Sequence, residues 1–68
     1  MPKPIEEIDF DFATDIVVSA YVDSGITDMR EILRQAEGTA TLFLIMGPPH
    51  TAEVLARVAA TLRRRLAH

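Results

Sequence analysis

Hydrophobic and polar positions change rhythm several times along this chain. Ile8-Asp9-Phe10-Asp11-Phe12 alternates strictly, the period of a strand with one face in water and one against a core. Its acidic outer face also suits an edge strand, where charge discourages unwanted pairing. After Ala13-Thr14-Asp15 comes Ile16-Val17-Val18-Ser19-Ala20-Tyr21-Val22, a β-branched and nearly continuous apolar run that reads as a second strand. The spacing then lengthens. Met29, Ile32, Leu33 and Ala36 fall at i, i+3, i+4 and i+7 and predict a helix over 27–37, opened by Thr27 or Asp28 and closed by a left-handed Gly38. Thr39 to Met46 reads as a third strand, stopped by Gly47-Pro48-Pro49. A second helix from Pro49 or His50 to about Ala67 carries the stripe Leu55, Val58, Ala59, Leu62 and Leu66. Residues 1–7, with two prolines, read as a flexible arm, and His68 as a frayed end.

The predicted fold class is therefore α/β (α+β). One small ββαβα domain spans residues 1–68, with a three-stranded mixed sheet, two helices and a right-handed parallel crossover from Ile16 to Met46. The third strand is apolar on both faces, and so is the second. Two helices on one side would leave Val17, Tyr21, Phe43 and Ile45 bare. That sheet face is the expected interface for a homodimer or higher oligomer.

Composition narrows the partners. The chain has 68 residues and no cysteine, so disulfides and thiolate metal sites are out of reach. A chain this short buries only about 60% of its unfolded surface and leans on partner subunits when staples are missing. The formal net charge of −3 argues against nucleic-acid binding, which requires a basic face. No targeting signal is read at the N-terminus, and the apolar run 42–47 is far below the roughly 20 residues of a membrane span. A cytoplasmic location follows by default. Charge is segregated: residues 1–31 carry Lys3 and Arg30 against eight carboxylates, and residues 32–68 carry five arginines against Glu37 and Glu53. The two halves either stand as separate solvated faces or meet, within a chain or between chains. Arg63-Arg64-Arg65 suits the negative end of a helix dipole and offers a second use toward an acidic partner or an anion.

Candidate chemistry collects at the expected carboxyl edge of the sheet, where two loops lead into helix N-termini. Asp23, Ser24 and Thr27 come from one loop, and Gly47, His50 and Thr51 from the other. A phosphate or carboxylate there would meet backbone amides, hydroxyls and the His50 imidazole, with Asp23 orienting His50. The same residues also serve as turn formers and helix caps. Two histidines 18 positions apart make no metal site, and no P-loop or dinucleotide fingerprint occurs, so neither metal nor cofactor is expected.

Asp23-Ser24-Gly25-Ile26, a helix, and then Leu42-Phe43-Leu44-Ile45-Met46-Gly47-Pro48-Pro49 resemble the C-terminal half of STAS domains over residues 23–55. The family's turn reads Asp-Ser-Ser-Gly. The resemblance implies an anti-anti-sigma type of regulator in which Ser24 is the phosphorylated residue.

The functional expectation is a small non-catalytic regulatory or protein-interaction module acting as a homo-oligomer. The alternatives are an anion-binding or phospho-accepting protein, or a small enzyme, using the edge around Ser24 and His50. A further alternative is a subunit of a hetero-complex.

Overall fold

The computed structural model describes residues 4–67; the first three residues of the expected arm, and His68, lie outside the described residues. Among the described residues there is no strand. A short 3-10 turn, Ile5–Glu7, precedes three helices: α1 (Phe10–Asp23), α2 (Met29–Met46) and α3 (Pro49–Leu66). The α/β reading is overturned.

Asp9, expected on the outer face of a strand, is the N-cap of α1. Its side chain accepts from the amides of Asp11 and Phe12, both at 3.1 Å. Beneath the apparent alternation runs a helical stripe: Phe10, Ala13, Thr14, Val17, Val18 and Tyr21 recur every three or four positions, and all are buried or half-buried. A β-branched residue costs a helix only a few tenths of a kcal/mol, which tertiary packing outweighs. The predicted strand Ile16–Val22 is thus the body of α1. The helix ends at Asp23, and Gly25 just beyond it has a left-handed φ of +96°. The Gly25 amide donates to Val22 O at 2.9 Å and the Ile26 amide to Tyr21 O at 3.0 Å, the paired bonds that close a helix on a left-handed residue.

Asp28 caps α2 through its bond from the Arg30 amide at 3.0 Å. The helix does not stop at Gly38. It continues through the predicted third strand to Met46, because Ala36 and Ala40 extend the Ile32 stripe across the glycine at four-residue spacing. A run apolar on every side does not distinguish a strand from a helix by periodicity. Gly47, Pro48 and Pro49 then end the helix, and the Gly47 amide still donates to Phe43 O at 2.8 Å. The final helix begins and ends where the sequence places it, with Pro49 in its first turn.

Helices α2 and α3 pack most closely, while α1 leans on α3 and barely touches α2. Phe10 lies beside Arg57 and Asp15 beside Arg65, so α1 and α3 run in the same direction and α2 runs against both. The apolar core consists of Ile32, Val58, Leu62 and four alanines, Ala36, Ala40, Ala52 and Ala59. Such small side chains let α2 and α3 approach closely, but they bury little area. Two buried hydroxyls bond their own helix: Thr14 Oγ1 donates to Phe10 O at 2.6 Å and Thr61 Oγ1 to Arg57 O at 3.0 Å.

Candidate functional site

With the sheet gone, its carboxyl edge goes too. The two loops expected to share that edge sit at opposite ends of α2, whose 18 residues separate them by roughly 27 Å at 1.5 Å per residue. Asp23, Ser24 and Thr27 lie at the α1–α2 turn, all exposed. Ser24 Oγ donates back to Ala20 O at 3.0 Å, an end-of-helix role. Gly47, His50 and Thr51 lie at the α2–α3 turn, where His50 and Thr51 are half-buried in the first turn of α3. His50 faces a shallow cavity of about 310 Å³ shared with Ile5, Glu6, Glu53 and Arg57. Asp23 does not reach His50. The strand–helix–strand frame implied by the STAS resemblance is absent as well: the residues before and after the helix of that motif are themselves helical. Among the described residues no group of His, Asp and Glu is placed to hold a metal ion, and no helix is long and apolar enough to cross a membrane.

The expected interface residues divide. Val17, Tyr21 and Phe43 are half-buried on helix faces that look inward, so they belong to the packing of the chain itself rather than to a bare sheet. Ile45 remains 77% exposed. It belongs to a larger feature, the last two turns of α2. Leu42, Phe43, Leu44, Ile45 and Met46 are five consecutive apolar residues, and at 100° per residue they cover every face of a helix. A helix apolar all round is a buried helix, yet here only Phe43 turns inward; Leu44 and Met46 are 74% and 78% exposed. Leu44 opens onto a groove of about 440 Å³ between α2 and α3, floored by Ala40, Ala52 and Ala56 and closed at one end by Pro49. The groove runs on past Ala59 and Ala60 toward Glu37 and Arg63. On α1, Phe12 and Ile16 form a second exposed apolar pair one turn apart.

Reading Thr39–Met46 as a strand gave its even-numbered residues to a core. Leu42, Leu44 and Met46 were therefore missed as surface residues. The unbroken apolar run was the available signal.

The segregated charges do meet within the chain. Arg65 of α3 bonds Asp15 at 2.8 Å and Asp11 at 3.1 Å, and also the backbone oxygen of Asp11. These hydrogen bonds, Asp15 first and Asp11 second, raise the pKa of the guanidinium above its already high ordinary value. Arg63 pairs with Glu37 of α2. The basic end of α3 thereby ties both other helices to it.

No family model, curated protein or solved structure matches this chain.

Proposed function

We propose that this chain is a non-catalytic interaction module that assembles with copies of itself through the C-terminal turns of α2 and the adjoining α2–α3 groove. The cytoplasmic setting expected from the sequence stays part of the proposal. The observation that carries it is an inversion of side-chain size. Among the described residues, the core holds three large aliphatic side chains and four alanines, whereas eight large apolar residues are exposed: Phe12, Ile16, Val22, Met29, Leu42, Leu44, Ile45 and Met46. Fully burying one side chain of this kind is worth about 1.5–3 kcal/mol. Covering even the α2 end alone gains several kcal/mol, a large share of the roughly 5–15 kcal/mol that holds a domain folded. A second copy offers the same apolar surface and so satisfies both partners at once.

Sedimentation equilibrium at micromolar and higher concentrations is expected to show a defined multiple of the chain mass. Leu44→Asp combined with Ile45→Asp is expected to return it to single chains with helicity intact, since both side chains lie outside the core. A wild-type protein that sediments as one chain at every concentration overturns the proposal.

A further inference from the structure

Arg57, Arg63 and Arg64 of α3 line one cavity of about 390 Å³ between α1 and α3, together with Phe10, Ala60 and Thr61. Three arginines thus line one pocket of a protein whose formal net charge is −3. Matching to the helix dipole explains arginines in the last turn of α3. It does not explain Arg57, nearly two turns earlier, or an aromatic ring supplied by another helix. Internal pairing leaves one of these three guanidiniums without a carboxylate and holds the other two only by exposed pairs, which are weak. Arg65, the neighbour of these residues in sequence, is held by Asp11 and Asp15. Arg63 pairs with Glu37 of α2 and Arg57 with Glu53 at 3.5 Å, all on solvent-exposed side chains. Arg64 has no carboxylate partner among the described residues; its guanidinium donates to Thr61 Oγ1 at 3.3 Å, and that hydroxyl in turn donates to Arg57 O.

The walls are as informative as the charges. The Arg57 guanidinium sits 5.9 Å from the centroid of the Phe10 ring, so cation and ring present a joint surface, and Ala60 adds an apolar patch beside it. Planar guanidinium forks suit tetrahedral oxyanions, and several of them around one cavity suit a doubly charged headgroup better than a carboxylate. A ring attached to that headgroup finds Phe10 and Ala60 to pack against. An extended polyanion fits poorly, because its neighbouring charges would pass the carboxylates of Asp11 and Asp15 on α1.

We infer that the Arg57–Arg63–Arg64 cavity, walled by Phe10, is a binding site for an aromatic phosphate monoester. It lies apart from the exposed end of α2 and does not rest on self-assembly.

The probe is phenyl phosphate, titrated into the full chain and followed by amide and aromatic NMR shifts. The expected result is saturable movement at Phe10, Arg57 and residues 60–64. Inorganic phosphate and benzyl alcohol, each carrying half of the ligand's chemistry, are expected to bind at least about tenfold more weakly. Arg64→Gln, on an exposed side chain that the fold does not need, is expected to weaken phenyl phosphate by about tenfold, the worth of one charge-assisted hydrogen bond. Arg30→Gln, which removes a charge outside the cavity, is expected to leave binding unchanged. Absence of saturation, shifts confined to residues 42–46, inorganic phosphate binding as tightly as phenyl phosphate, or equal losses from Arg30→Gln and Arg64→Gln would each overturn the assignment.

Discussion

At Gly38 one side chain separates the two architectures. In an α/β fold this glycine terminates a helix in the left-handed region, and any Cβ there is strained. In the structure it lies inside α2, and a Cβ built on it meets nothing within 4 Å. Gly38→Ala is therefore expected to stabilise the protein by about 0.5–1 kcal/mol, the ordinary gain for that exchange inside a helix. Chemical denaturation checks it, and a loss of stability would favour the broken helix. Gly47 behaves in the opposite way. A Cβ there runs into the Phe43 ring, so Gly47→Ala is expected to displace Phe43 and lower the melting temperature. Asp9 caps α1 with two amide bonds, and Asp9→Ala is expected to cost about 1 kcal/mol. That residue was legible as acidic and exposed but not as a cap, because alternation with Ile8, Phe10 and Phe12 gave it a strand role first.

Among the elements, α1 is the loosest. It is held mainly by α3, and the Arg65 bonds to Asp11 and Asp15 are the polar part of that hold. Arg65→Gln is expected to speed amide hydrogen exchange in α1 while leaving α2 and the middle of α3 protected. A uniform change across all three helices would contradict this division. The pKa of Arg65 is raised in the folded state, so its contribution is fully present below the unfolded value and is lost only as pH rises through the folded one. Titration of Arg65 itself therefore removes the contact only at strongly alkaline pH. The pairing of α2 with α3 rests instead on close approach. Ala36 is 1% exposed, and Ala36→Leu is expected to cost about 1–3 kcal/mol by forcing the helices apart. The meeting of an acidic N-terminal half with a basic C-terminal helix was one of two readings that the charge counts left open, and the acidic partner is a helix and not a strand.

At the scale of the whole molecule, three helices bury a core poor in large side chains and leave the apolar end of α2 open. The excess of apolar surface over what two or three elements can cover was readable from residues 42–46 under either fold. Its location was not. On a sheet it would be a face containing Val17, Tyr21, Phe43 and Ile45; on the helices it is the end of α2, with the first three of those residues turned inward. Of the pocket proposed for an anion, the arginine run 63–65 was legible and the opposite wall was not. Phe10 and Arg57 are 47 positions apart, and nothing in their local pattern says that α1 lies along α3 in the same direction.

The sequence by itself determined the features that depend on near neighbours: the final helix, the start of α2 at Thr27 or Asp28, the turn at Gly25, the stop at Gly47-Pro48-Pro49, and an apolar surplus. These rest on capping, left-handed glycine, proline's missing amide and simple composition, all acting within a few residues. Only the tertiary structure decided whether two ambiguous apolar runs became strands or helices. A strand has to find partners elsewhere in the chain, whereas a helix closes its own hydrogen bonds. Here the stripes from Phe10 to Tyr21 and from Ile32 to Phe43 could be buried against α3 without any sheet.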